Sequence, residues 1–544
     1  MVAATAIRPT ATHPFVGRNV PWLLGVHAAQ RPEHPFIVWE PFDGAVPGRR
    51  RWTYAEFAAD VASLAAALAQ RGVEPGHRVL IHLGNCPEFL ISWFACAHLG
   101  AVAVTTNTRS TAAELAYFAG HSRVVGAITQ PSLLDTVTGA GVEFGFLVST
   151  DTDQGAAAER PLAPAESFDS LVAVGSTLPA VEAHASDALA PNSVQYTSGT
   201  TARPKGVVWT HANALWGART GATLLELQPS DVTVAFLPLF HTNALSYSML
   251  STLWVGGTLV IQPRFSASRY WDVVVRNGCT WSSSIPFMLW ALMEQPKPEQ
   301  HSLKFWGLGA SDVRVVRDVF GLRTLGWFGM TETVTLTMFS EIGKPARPGA
   351  MGTAVPGYEV KVVDDHNQPV PFRESGWLRI RGVPGVSLFL EYLDNPEATD
   401  AAFDAEGWFD TGDLVTPYPD GHIRFDNRGK DMLRVGAENV SAAEVERVIA
   451  TVPGVKESAV VGRPDRMLDE VPVAFVIPFG QPAGGAHEFG RAIIERCAAE
   501  LAPFKVPRGV IVVDEFPRVT LEKVDKKSLR AQLAAAKEPT PDVP

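Results

Sequence analysis

The densest run of chemically capable residues is YTSGTTARPKGV, residues 196–207. The hydroxyls of Thr197, Ser198, Thr200 and Thr201 surround Gly199, and Lys205 follows. A loop of this make-up turns backbone amides and hydroxyls toward a polyphosphate, and the ammonium adds a mobile positive charge. The pattern GxxxxGK[ST] is absent, so the device is not a Walker loop. Short apolar runs at 194–196 and 207–209 flank it. Taken alone, the segment also reads as a flexible turn. Two adjacent Thr, a Gly and a downstream Pro-Lys-Gly at these spacings favour the phosphate reading.

Further segments follow in order: GLGAS (307–311), GWFGMTET (326–333), GWFDTGDL (407–414), DNRGKDMLRVGAENV (426–440) and PRVTLEKVDKK (517–527). Together they resemble the signatures of the superfamily that holds acyl-CoA synthetases, peptide-synthetase adenylation domains and luciferases, over nearly the whole chain. Its phosphate loop reads TSGTTGxPKG, with Ala202 here in place of a Gly. The resemblance implies that Thr197, Ser198, Gly199, Thr200, Thr201 and Lys205 bind the phosphates of ATP. Gly309, Ala310 and Ser311, with Trp327, Phe328, Gly329 and Met330, would frame the nucleotide. Thr331 would contact phosphate and Glu332 would hold Mg²⁺, a hard ion that keeps few protein ligands beside phosphate oxygens. Asp413 would accept from both ribose hydroxyls, since a carboxylate offers a vicinal diol two acceptors. Arg428 would also contact the ribose, and Lys430 would be the hinge. Gly436, Ala437, Glu438 and Asn439 would line the tunnel for CoA. Lys523 would bridge carboxylate and α-phosphate oxygens as charge builds in the transition state. Phe328, Ala437 and Glu522 each replace the residue most common at their positions.

PLFHTNALSYS (238–248) speaks to the acid. Amino-acid-activating relatives usually carry Asp at the position of His241, and an imidazole offers no fixed negative charge. His241 therefore reads as a gate between acyl pocket and phosphates, and joins Lys523 and Lys205 as the catalytic set. Trp281, Ser284, Gly309 and Leu336 would lie at the acyl pocket. Their mixed aromatic and polar character suits a short or medium acid, an aryl acid, or a quaternary-ammonium acid against Trp281. PLFHTNAL and FSASRYWD are similar to stretches of carnitine- and crotonobetaine-type CoA ligases. The implied activity is ATP-dependent formation of an acyl-adenylate with release of pyrophosphate, followed by transfer to CoA. Two alternatives stay open: another acceptor (a carrier-protein thiol, an amine or a small inorganic nucleophile), and a non-catalytic nucleotide-binding protein.

The elements that must position these residues show in the patterning. Thr53 with Glu56, Thr111 with Glu114, and Ser441 with Glu444 each form a capping box that starts a helix. These helices alternate with short β-branched runs at 78–81, 102–105, 125–128 and 147–148, which predicts an α/β fold with helix-covered parallel sheets. The apolar stretch 89–104 is too short to span a bilayer and reads as a buried helix running into a strand. Residues 151–190 read as a surface excursion. The texture turns to short strands over 355–427, a β-rich subdomain. The expected domains are 1–427, a hinge at 428–430, and a small mobile α+β domain at 431–544.

The chain's 544 residues exceed what one core usually supports, about 250–300. A net charge of −11 disfavours nucleic acid and anionic membranes as partners. Four scattered cysteines suit reduced thiols in a cytoplasmic enzyme and give a zinc site no support. The expected partners are small molecules, namely a carboxylic acid, ATP and CoA, and a homodimer is left open.

Overall fold

Local capping decides where helices begin: two of the expected boxes are reciprocal, and the third is seen by its hydroxyl half. Thr53 Oγ1 accepts from the Glu56 amide while the Glu56 carboxylate accepts from the Thr53 amide at 2.9 Å, starting Tyr54–Gln70. Thr111 and Glu114 repeat the pair ahead of Ala112–Ser122. The Ser441 hydroxyl accepts from the Glu444 amide ahead of Ala442–Ile449. The computed structural model describes residues 13–42, 51–158, 162–197, 203–428, 432–436, 438–481, 485–518 and 524–535. These divide into two compact units: residues 1–108, 118–195 and 206–427 form one, and residues 109–117, 196–205 and 428–544 form the other.

The first unit holds two large sheets. The nine-stranded sheet runs Thr353–Ala354, Met338–Phe339, Arg323–Phe328, Phe305–Leu308, Trp281–Ser283, Val232–Ala235, Thr258–Ile261, Pro35–Trp39, Arg51–Thr53. Its six central strands are parallel. From Val232–Ala235 the chain first adds Thr258–Ile261 on one side, then Trp281–Ser283 on the other. The eight-stranded sheet shows the same reversal. Arg78–His82 is flanked by Val102–Thr105 and then, on its far side, by Gly126–Thr129. In open parallel sheets, a reversal of this kind opens a crevice at the carboxyl ends of the strands.

The apolar stretch 89–104 forms the helix Pro87–Leu99 and the strand Val102–Thr105, with Phe89, Trp93 and Phe94 at most 1% exposed. Residues 151–190 depart from the sequence expectation. Glu166–Ser167 extends the eight-stranded sheet, and the helix Phe168–Gly175 packs on Tyr54–Gln70. Phe168 and Leu171 enter the core, and a Cβ on Gly175 would collide with the Ser63 carbonyl, so the helices approach backbone to backbone. Three core residues in eight are too few to stand out against the polar sequence around them. Residues 359–428 form an antiparallel four-stranded sheet of Glu359–Val363, Gly376–Arg381, Phe409–Pro417 and Ile423–Arg428.

In the second unit, the long hairpin Val455–Asp465 and Asp469–Pro478 carries the helices Ala442–Ile449, Gly485–Glu500 and Lys526–Ala535. Val445, Val448, Val460, Val476 and Ile493 fill its core. Lys505, about 7% exposed, donates to Glu114 at 2.5 Å and to Glu444 at 2.9 Å. The four cysteines are free and buried, and burial pushes the thiols of Cys96, Cys279 and Cys497 up to about 12. They are packing residues.

Candidate active site

Asn85, just past the end of Arg78–His82, joins the carboxyl ends of the two sheets. Its Nδ2 donates to the carbonyls of Leu237 (2.9 Å) and Gln262 (3.1 Å), and its Oδ1 accepts from the Leu239 amide (2.8 Å). The segment leading to His241 is thus held at the carboxyl ends of the two sheets. His241 lies half-buried with its ring 4.7 Å from that of Phe240. Beside it, Thr242 Oγ1 lies 3.3 Å from both Gln195 Oε1 and Thr331 Oγ1, donating to the amide oxygen and sharing a hydrogen bond with the other hydroxyl. Gln195 is at the end of Pro191–Thr197, the strand that leads into the phosphate-loop sequence. One threonine therefore links that strand, the histidine segment and the TET turn.

The turn Thr331–Thr333 is itself braced. Trp209 Nε1 donates to the Thr331 carbonyl at 2.8 Å, and the Phe389 amide donates to the Glu332 carbonyl at 2.8 Å. The turn closes on Val334, buried with φ +66°, a costly backbone for a β-branched residue. Glu332 is 6% exposed, and its Oε1 accepts from the Tyr392 hydroxyl at 2.9 Å. Burial, reinforced by the Glu332 charge and hydrogen bond, pushes the Tyr392 hydroxyl well up, so it stays protonated and donates. Asp413 is wholly buried on Phe409–Pro417, following the left-handed Gly412.

The remaining expected residues fall as follows. Thr197 ends its strand and Lys205 begins Lys205–Thr210, while residues 198–202 lie outside the described set. Pro204 is fixed by the Tyr117 hydroxyl (3.0 Å), and Arg203 lies 5.4 Å from the Tyr117 ring. Ser311 is buried with its hydroxyl directed to the Arg347 and Ala350 carbonyls, so it braces the loop that carries Gly309 and Ala310. Trp327 and Phe328 are buried at the end of Arg323–Phe328, with Gly329 and Met330 following. Trp281, Ser284 and Leu336 are all buried in the same unit.

In the second unit, Met432–Val435 and Glu438–Ser441 pair antiparallel, with Val435 opposite Glu438. Gly436 has φ +64° and donates to the Leu468 carbonyl at 2.6 Å. Glu438 is buried and Asn439 exposed. Ala437, Lys430, Glu522 and Lys523 lie outside the described residues, as does the Arg428 side chain. Arg518 and Val524 pair across the 519–523 segment. Lys526 is committed to Glu446 at 2.7 Å, so it is a structural cation.

Sequence reasoning missed Asn85, Gln195, Trp209, Thr242 and Tyr392. Only Thr242 carried a signal, its place beside His241.

At the carboxyl ends of the two sheets the structure thus gathers Gln195, Thr242, Thr331 and the clamped carboxylate of Glu332, an arrangement that suits an adenylate-forming enzyme. Residues 24–393 match the AMP-binding enzyme family, and residues 444–523 match the AMP-binding enzyme C-terminal domain. The chain is 31% identical over 507 residues to a crotonobetaine/carnitine–CoA ligase of Escherichia coli (strain SE11), covering 91% of this chain and 95% of that protein. It is 32% identical over 520 residues to the ligase of that name from Salmonella paratyphi C (strain RKS4594), with the same coverage. Among solved structures, an o-succinylbenzoate CoA synthetase from Bacillus subtilis aligns with TM-score 0.79 and 27% identity, over 95% of this chain and 98% of that one. An anthranilate CoA ligase in complex with anthranoyl-AMP aligns with TM-score 0.70 and 27% identity, over 96% and 98%. The chain belongs to the AMP-binding family of adenylate-forming enzymes. It is an AMP-forming acid–thiol ligase, activating an acid with ATP and transferring the acyl group to CoA.

Proposed function

We propose that the acid is activated where the carboxyl ends of the two sheets meet, at the network Gln195–Thr242–Thr331–Glu332–Tyr392. The observation that carries this reading is the Thr242 hydroxyl, which ties the His241 segment to both phosphate-facing segments. A carboxylate oxygen of the acid attacks the α-phosphorus of ATP. The bond from that phosphorus to the pyrophosphate oxygen breaks, and pyrophosphate leaves. Little covalent chemistry falls to the protein, so positioning and charge neutralisation carry the step. Lys205 and residues 197–201 hold the phosphates, Asp413 and Arg428 the ribose, and His241 separates acyl group from phosphates. The ammonium of Lys523 neutralises charge between carboxylate and α-phosphate.

Among the described residues, no group of three or more His, Cys, Asp or Glu could hold a metal by itself. A single clamped carboxylate, Glu332, fits Mg²⁺, an ion that takes few protein ligands and would draw the rest from phosphate and water. Bound there, Mg²⁺ would offset phosphate charge. In the second half-reaction the CoA thiolate attacks the acyl carbon, the bond to the AMP oxygen breaks, and AMP leaves. Lys430 is the pivot that exchanges Lys523 for the turn at 436–439 between the halves.

The related ligases named above act on chemically unlike acids, and no one of those acids is assigned here. The test is exchange of labelled pyrophosphate into ATP across an acid panel. Exchange is expected only with acid present, and Lys523→Ala should lower it about 100-fold or more while ATP binding changes little. Undiminished exchange in Lys523→Ala would remove that lysine from the chemistry.

A further inference from the structure

Resting on the activation site proposed above, we propose that its acyl pocket selects an acid carrying a hydroxyl or carbonyl group over the matching hydrocarbon acid. Thr233 Oγ1 hydrogen-bonds Thr252 Oγ1, so its sheet face is the one turned to the helix Ser251–Val255 and the turn of helix before it, Asn243–Leu250. Thr233 pairs in register with Trp281. Side chains alternate along a strand, so Trp281 and Ser283 share that face. Ser282 points the opposite way, to the Tyr270 hydroxyl. Ser283 is opposite Gly307, whose missing side chain leaves room for the Trp327 ring, and that ring packs edge-on against Tyr247 at 5.9 Å. The Tyr247 hydroxyl and the Thr335 backbone crowd Gly329, while the Ser246 hydroxyl crowds Gly217 and the Thr335 side chain touches it. One continuous wall therefore runs from Trp281 to Thr335.

That wall carries four polar atoms without a hydrogen-bond partner: Trp281 Nε1, Ser283 Oγ, Ser246 Oγ and Thr335 Oγ1. Their side chains are 1%, 3%, 0% and 0% exposed. None of the four is charged, so the wall supplies hydrogen bonds and no countercharge. The indole nitrogen only donates, and the hydroxyls donate or accept. A hydrocarbon chain would leave all four unpaired in a dry place, whereas a hydroxyl or carbonyl oxygen pairs with them. A site built to hydrogen-bond a substrate group rejects the analogue lacking it far more strongly than an apolar pocket rejects one methylene.

The experiment measures kcat/KM for pyrophosphate exchange with matched acids: butanoate against 3-hydroxybutanoate, pentanoate against 4-oxopentanoate, and benzoate against 4-hydroxybenzoate. At least one oxygenated acid should exceed its partner by about 10-fold or more. In that pair, Ser283→Ala, Thr335→Val or Trp281→Phe should shrink the ratio. A folding defect lowers both members together and leaves the ratio alone. Equal or better use of the hydrocarbon member in every pair overturns the proposal, as do ratios unmoved by all three substitutions. Exchange with no acid at all would instead strike at the activation reading.

Discussion

Tyr392 holds Glu332 with one hydrogen bond, in a place water hardly reaches. The phenol fixes which carboxylate oxygen turns away from it, and through that the position of any ion Glu332 ligates. Partners of this kind usually change metal affinity about 10–100-fold when removed. We expect Tyr392→Phe to raise the Mg²⁺ concentration giving half-maximal exchange about 10-fold, and Glu332→Gln to raise it further. A Mg²⁺ titration of the two variants checks this, and an unshifted midpoint in Tyr392→Phe would make the contact merely structural. Glu332 itself stands out in the sequence, because the expectation of Mg²⁺ there rests on a local motif. Tyr392 does not, because 60 residues separate it from its partner and only the pairing of Glu391–Tyr392 with Lys205–Thr210 brings it there. Trp209 and Asn85 were hidden for the same reason.

At the scale of elements, capping boxes were readable because both partners sit within one turn of each other. At the third start the Glu444 amide meets the Ser441 hydroxyl, but its carboxylate has a task that no local pattern announces. Glu444 and Glu114 both meet Lys505, which joins the helix starts at 112 and 442 to the turn Pro503–Lys505. Burial would lower the ammonium's pKa, but the two carboxylates outweigh it and hold it above its ordinary value. Burial likewise raises Glu444. The raised lysine contributes stability that is complete below its unfolded pKa of about 10.4 and lost as pH climbs through the folded value. The raised glutamate has the opposite consequence at neutral pH, where holding it charged costs stability. Lys505→Met should therefore leave two buried carboxylates unpaired and cost about 3–5 kcal/mol at pH 8. The loss should shrink toward pH 5 as those carboxylates take up protons. Calorimetric melting across that range checks both statements, and a loss that grew on acidification would contradict the assignment. The helix Phe168–Gly175 was missed at this scale because its evidence is a close approach at Gly175, which only the partner helix reveals.

At the scale of the whole molecule, strand and helix alternation fixed the α/β class but not the order of strands. The reversals at Val232–Ala235 and Arg78–His82 arise from where helices return the chain, and no residue pattern encodes that side. Yet at the carboxyl ends of those sheets Gln195 and Thr331, more than a hundred residues apart, reach the same Thr242 hydroxyl. The second half-reaction asks more, namely that the 436–439 turn serve the thiol after adenylation is done. Gly436 occupies the left-handed region at φ +64°, with the Leu468 side chain 3.5 Å from where a Cβ would stand. A β-branched residue there is strained, by about 1–3 kcal/mol, and must reshape the turn. If the turn lines the path of CoA, Gly436→Val should lower acyl-CoA formation from preformed acyl-AMP about 10-fold or more, and pyrophosphate exchange far less. Single-turnover thioester formation beside steady-state exchange separates the two. Equal losses in both halves would mean the turn stabilises its unit and has no part in guiding the thiol.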